Sequence, residues 1–215
     1  LKPSREDILL ELLGEVGKGH DVSGERVWRA YKLADSQMPY SSLTVKNENQ
    51  RRDFYEIYNQ LVLKLVGTPN ALSGRTVHEF FLSRPRHWEL VEGAKSTLDE
   101  CRALGYRLAV LSNFDQGLGS VLLGFNQLEE LVDDVIASAE VGIEKPNPEF
   151  FKSYLNDFDF EPNLSFYVGD SYDLDYLPAR ELGLEAFLVD PYGVFGDLPG
   201  SITRLEDIIG HIRLR

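Results

Sequence analysis

Acidic side chains crowd behind a short apolar run in the stretch Tyr167-Val168-Gly169-Asp170-Ser171-Tyr172-Asp173-Leu174-Asp175. In α/β proteins, strands that end this way present carboxylates at the carboxyl edge of the sheet, where ligands bind. Two or three carboxylates gathered there form an oxygen-only cage suited to Mg²⁺. Gly-Asp-Ser is also the composition of an ordinary turn, so the choice falls to other segments.

Two further segments offer complementary chemistry. In Leu111-Ser112-Asn113-Phe114-Asp115 an apolar run ends in a hydroxyl, and the backbone N–H groups that follow can cup an anion. The bland alternative is a Ser-Asn turn. In Glu140-Val141-Gly142-Ile143-Glu144-Lys145-Pro146-Asn147-Pro148 a lysine stands between a glycine and two prolines, in a loop of restricted conformation. A lysine fixed in this way can hold a phosphate or an anionic nucleophile. The bland alternative here is a solvated surface lysine.

The elements that must position these groups follow from periodicity. Up to about residue 85 the pattern is helical. Pro3-Ser4-Arg5-Glu6-Asp7 reads as a capped helix start, with Ser4 as cap and acids in the first turn. Ile8, Leu9, Leu12 and Leu13 follow at helical spacing. Further helices are predicted from about Gly24 through Leu33, from about Asn47 through Leu65, and from about Thr76 to Leu82. Beyond residue 85, short apolar strands alternate with helices. Strands are predicted at 107–111, 134–137, 165–168 and 185–189, with helices at 93–104, 118–123, 148–156, 176–182 and 204–212. This alternation signals βαβ units and a parallel sheet. The expected fold is therefore α/β, a Rossmann-like parallel core over residues 85–215 joined to a helical module over residues 1–84.

Composition narrows the function classes. A chain of 215 residues, 43% hydrophobic and 27% charged, suits a soluble core domain with a smaller module. A net charge of -13 repels phosphate backbones and anionic bilayers, so neither nucleic acid nor membrane is an expected partner. The single cysteine, Cys101, fits a reducing compartment, and a cytoplasmic location is expected. Its helical surroundings point to a buried structural thiol. The four histidines are scattered and form no metal-ligand spacing.

In this order the three segments resemble motifs II, III and IV of the haloacid dehalogenase superfamily, subfamily I. Arg107 to Asp115 resembles motif II, Gly142 to Phe151 motif III, and Val168 to Tyr176 motif IV, closely over residues 90–189. The helical first part resembles the cap that this superfamily inserts after motif I. One departure is Pro178, where close members usually carry glycine; its expected effect is on packing of the following helix. The resemblance implies roles. Ser112 and the Asn113 N–H would bind the transferring phosphoryl group, and Lys145 would neutralise charge on it and on the nucleophile. Asp170 and Asp175 would bind Mg²⁺. The implied reaction is hydrolysis of a small phosphorylated metabolite through an aspartyl-phosphate, with the metal and lysine stabilising an in-line transfer.

Motif I, an Asp-x-Asp at the end of the first strand, has no counterpart before the helical module. The only such spacing, Asp173-Leu174-Asp175, belongs to motif IV. In the family's sheet that strand lies centrally, and each buried backbone group left unpaired without it costs about 1–3 kcal/mol. The expectation is therefore an apolar strand ending in Asp-x-Asp, about 10–20 residues long with its loop, preceding Leu1. Two other readings stay open. One is a 2-haloacid dehalogenase-type hydrolase, which needs no metal and whose motif IV usually lacks the acid found here at Asp170. The other is an inactive relative lacking motif I that serves as a binding or assembly module.

Overall fold

The computed structural model describes residues 2–41, 44–85, 87–114, 117–124, 131–157 and 161–213. Their contacts divide the chain into two units, 1–89 and 90–215, with the division slightly beyond the expected boundary at residue 84.

The first unit is helical. It contains α1 (Arg5–Glu15), α2 (Gly24–Gln37), α3 (Glu48–Val66) and α4 (Gly74–Ser83). Each helix starts at a polar residue whose side chain accepts a hydrogen bond from the first turn: Ser4, Ser23, Asn47 and Ser73. Such caps satisfy N–H groups that have no partner within the helix. At Ser4 the bond is reciprocal, because the Ser4 N–H also donates to Asp7. Leu9, Leu13, Val27, Tyr31, Val62 and Val77 bury the facing stripes in one core.

The second unit alternates as expected. Helix α5 (Ala94–Ala103) precedes β1 (Ala109–Ser112), and α6 (Leu118–Leu123) precedes β2 (Asp134–Ala137). A short α7 (Ser138–Val141) and α8 (Pro148–Asp157) lead to β3 (Phe166–Gly169). Then come α9 (Leu177–Glu181), β4 (Glu185–Val189), β5 (Ser201–Ile202) and α10 (Ile208–Ile212). Strand β1 pairs in parallel with β2; β3 pairs in parallel with β4, and β4 with β5. Among the described residues β1 is bonded only to β2, and β3 only to β4, giving a two-stranded and a three-stranded sheet.

Both faces of these strands are covered. Val110, Val135, Phe166, Val168, Phe187 and Val189 pack on one side with Ile208 and Ile212. Their chain neighbours Leu111, Tyr167, Ala186 and Leu188 pack on the other with Phe151, Leu155 and Ala179. This is the period-2 alternation of strands buried on both faces. Cys101 is buried in the first of these cores. Burial pushes its thiol up, away from the thiolate a nucleophile needs. No helix among the described residues is long and apolar enough to cross a membrane.

Sequence periodicity missed three features. The two-residue β5 is too short to show a pattern. Helix α7 is one turn long and is stopped at Gly142, whose φ of 72° lies in the left-handed region. The helix expected at 176–182 begins as a π-helical turn at Tyr172–Tyr176 and becomes α-helical only at Leu177. Pro178 sits buried where the π-helical winding passes into the α-helix.

Candidate active site

The carboxyl ends of β1 and β3, together with the loop after α7, converge on one amine. Lys145 Nζ lies 2.6 Å from Asp175 Oδ1, 3.1 Å from the Tyr167 hydroxyl and 3.2 Å from the Leu111 carbonyl oxygen. The Lys145 and Asp175 side chains are 10% and 8% exposed, so the pair is largely shielded from solvent. An amine in this setting donates three hydrogen bonds in fixed directions, which a solvated surface lysine does not.

Local chemistry explains why the amine sits there. Gly142 ends α7, and Asn147 closes a turn onto the Glu144 carbonyl at 3.0 Å. The Asn113 side chain clamps the Lys145 backbone between them. Its Nδ2 donates to the Lys145 carbonyl at 2.9 Å, and its Oδ1 accepts from the Lys145 N–H at 2.8 Å. Ser138, fully buried, accepts from the Phe114 N–H at 3.2 Å and ties the loop after β1 to the end of β2. Asp115, part of the expected motif II, lies outside the described residues.

Asp175 reaches the lysine through the π-helical turn. The Ser171 side chain accepts from the Leu174 N–H, and the Ser171 carbonyl accepts from both Asp175 and Tyr176. The turn brings Asp175 back beneath Gly169. A Cβ on Gly169 would stand 2.3 Å from the Asp175 Cβ, so only glycine fits at the end of β3. Asp175 Oδ1 accepts from Lys145 and from Tyr167 at 3.2 Å, and Oδ2 accepts from the Ser171 N–H at 3.1 Å. Burial pushes the Tyr167 hydroxyl well above its ordinary value, and the charges of Asp175 and Asp170 add to the shift. The hydroxyl therefore stays protonated as a donor.

The five residues expected from sequence fall as follows. Lys145 and Asp175 form the buried pair. Ser112 ends β1, next to the Leu111 carbonyl that the lysine contacts. Asn113 holds the lysine loop with its side chain, a role the sequence did not show. Asp170 is exposed just past the end of β3, close enough for its charge to bear on the Tyr167 hydroxyl. Among the described residues no three or more His, Cys, Asp or Glu gather so as to hold a metal ion. The available donors are nevertheless hard oxygens, which suit Mg²⁺. A carboxylate has about four lone-pair positions, and Asp175 Oδ2 uses only one of its two. Asp170 and Asp175 would therefore hold the ion, with Asp170 the more accessible donor.

Tyr167 is the residue that sequence reasoning missed. A tyrosine inside an otherwise apolar strand was the available signal, since a buried phenol seeks a partner for its hydroxyl. Its hydroxyl also lies 3.3 Å from the Leu111 carbonyl, so its single proton is shared between that oxygen and Asp175. Side chains thus span from β3 to β1, which share no strand hydrogen bonds among the described residues.

The comparisons agree with this architecture. The model of the haloacid dehalogenase-like hydrolase family matches residues 35–189. The mouse haloacid dehalogenase-like hydrolase domain-containing protein 3 is 35% identical over 174 residues, which are 79% of this chain and 68% of that protein. The glyceraldehyde 3-phosphate phosphatase of Methanothermobacter thermautotrophicus is 35% identical over 125 residues, 56% of this chain and 52% of that protein. Among solved structures, the HAD-hydrolase YfnB of Bacillus subtilis, described as bound to magnesium, superposes with a TM-score of 0.59 at 19% identity. That match covers 97% of this chain and 91% of YfnB, and it is a likeness of fold. Fold and sequence together define a hydrolase with a Rossmann-like core. The chain belongs to the haloacid dehalogenase-like hydrolase family.

Proposed function

We propose that this chain is a phosphatase acting on a small phosphorylated metabolite. The observation that carries the proposal is the buried Lys145–Asp175 pair, set where β1 and β3 end and adjoining Ser112. A lysine held so firmly has little structural use at a sheet edge, but it suits neutralising a dianionic phosphoryl group. Ser112 and the Asn113 N–H orient two of the phosphoryl oxygens. Lys145 offsets negative charge as the ester bond breaks, and Asp175 fixes its amine. Bound Mg²⁺, held by Asp170 and Asp175, would supply further charge neutralisation. An aspartyl-phosphate route would need a nucleophilic carboxylate near Lys145, as the family resemblance implies. The 35% identity to a glyceraldehyde 3-phosphate phosphatase supports a phosphate ester over a haloacid as substrate. The acid at Asp170 supports it as well.

The test is hydrolysis of p-nitrophenyl phosphate and of 2-chloropropionate by the full-length protein with Mg²⁺. Phosphate release without chloride release is expected. Chloride release alone would establish the dehalogenase reading, and neither product would establish the inactive module.

A further inference from the structure

We propose that the helical unit carries its own ligand site, a chamber for a planar, uncharged heteroaromatic ring with hydrogen-bonding edges. A cavity of about 620 Å³ lies between α1, α2, α3 and α4. That is the size of a small-molecule pocket, roughly 300–1,000 Å³. The proposal concerns this unit alone and does not depend on the phosphatase reading.

The walls are aromatic. Tyr40 lies parallel to Tyr55, with ring centroids 5.7 Å apart, and Tyr55 stacks on His78 at 4.9 Å. Phe54 stacks on Tyr58 at 5.7 Å. Such a surface favours a flat π system, which can add a ring to an existing stack.

The charged lining residues are already matched. Arg5 forks onto Asp35 at 3.1 and 2.7 Å and contacts Glu6 at 3.2 Å. Asp35 also accepts from the Tyr58 hydroxyl at 2.5 Å. Arg51 pairs with Glu48 at 3.0 Å, and Arg84 with Glu11 at 2.7 Å and Glu15 at 3.3 Å. A charged ligand would enter a chamber whose charges are cancelled and would lose its own hydration there.

Neutral hydrogen-bonding groups remain. Asn59 lines the cavity and is only 5% exposed. Its Nδ2 donates to the Gly74 carbonyl at 3.3 Å, which leaves the amide oxygen as the acceptor edge of the side chain. His78 offers a donor and an acceptor from its ring, because burial holds its pKa below the ordinary value and keeps it neutral near pH 7. One amide edge, one neutral imidazole and stacked rings match the edge and faces of a nucleobase-like heterocycle.

The test is calorimetric titration of the full-length protein with adenine, uracil and nicotinamide, with benzoate and toluene for comparison. At least one heterocycle should bind with a stoichiometry near one and more tightly than benzoate or toluene. His78→Phe keeps the stack but removes the ring nitrogens. It should weaken binding about tenfold or more, as expected for a lost buried hydrogen bond, with an unchanged far-UV spectrum and melting temperature. If that variant loses stability, Asn59→Leu, which removes the amide edge, carries the same expectation. The proposal is overturned if no heterocycle saturates or if benzoate or toluene binds as tightly. Wild-type affinity in the folded variant would overturn it too. Binding is read without turnover, so its failure would leave the phosphatase reading untouched.

Discussion

Asn113 holds the backbone of Lys145 by both of its polar groups, giving 2.9 Å to the carbonyl and receiving 2.8 Å from the N–H. The two residues lie 32 positions apart and belong to the loops after different strands. The clamp converts a loop lysine into a fixed point charge. Asn113→Ala should therefore lower kcat for phosphate ester hydrolysis by about ten- to a hundredfold, with a smaller change in KM. It should also cost about 1–3 kcal/mol in urea unfolding, the range for two net hydrogen bonds. A kcat within twofold of wild type would show that the clamp does not position the amine.

The Lys145–Asp175 pair predicts strong coupling. Lys145→Met leaves a buried carboxylate without its cation, and removing one partner of such a pair costs about 3–5 kcal/mol. Asp175→Asn in the same chain removes the stranded charge. The double variant should regain most of the lost stability and none of the activity. Additive losses in urea unfolding would mean the two groups do not depend on each other.

These two relationships also mark how far the sequence could be read. Lys145 was found because glycine and two prolines around a lysine restrict its loop, which is local information. The strands expected at 107–111 and 165–168, because short apolar runs alternate with helices, end one residue later, at Ser112 and Gly169. The Asn113 clamp and the Tyr167 hydroxyl were not legible, because each depends on which distant backbone atom the fold brings near. Nor was the π-helical turn. Its wider winding, which carries Asp175 back under Gly169, arises from the Ser171 carbonyl accepting two N–H groups, and no residue period encodes that.

Gly169→Ala tests the turn directly. The added methyl would overlap Asp175, whose Cβ, Cγ and Oδ2 lie 2.3, 2.4 and 2.5 Å from its position. Asp175 cannot yield without leaving Lys145. The expected loss is about 3 kcal/mol, the upper part of the range for overpacking, together with loss of hydrolysis. Wild-type activity at an unchanged melting temperature would show that the turn has another conformation.

Asp133 predicts a pH effect at the start of β1. Its carboxylate accepts from the Leu108 N–H at 2.8 Å, and Arg102 lies 3.2 Å away. The Leu108 bond chiefly, with the arginine, holds its pKa below the ordinary 3.8. A depressed carboxylate pKa means that the folded state binds its proton less tightly than the unfolded state. The contribution is therefore complete above pH 3.8 and fades as pH falls below it. The melting temperatures of wild type and Asp133→Asn should differ at pH 6, and the gap should narrow as pH falls below 3.8. A gap that stays constant with pH would contradict this.

The metal makes the last test. Asp175 spends both acceptor positions of Oδ1 on Lys145 and Tyr167 and one on Oδ2 for the Ser171 N–H. Asp170 is exposed just past the end of β3, ahead of the π-helical turn that carries Asp175. An ion bound here would draw most of its protein charge from Asp170. Mg²⁺ should therefore raise the melting temperature of the wild type, and EDTA should reverse the shift and stop phosphate release. Asp170→Asn keeps the size of the side chain but removes its charge. It should lose the Mg²⁺-dependent shift, and Asp175 is held by Lys145, Tyr167 and Ser171. An equal Mg²⁺ shift in both proteins would place the ion elsewhere. A lower metal-free melting temperature in the variant would assign Asp170 to the fold.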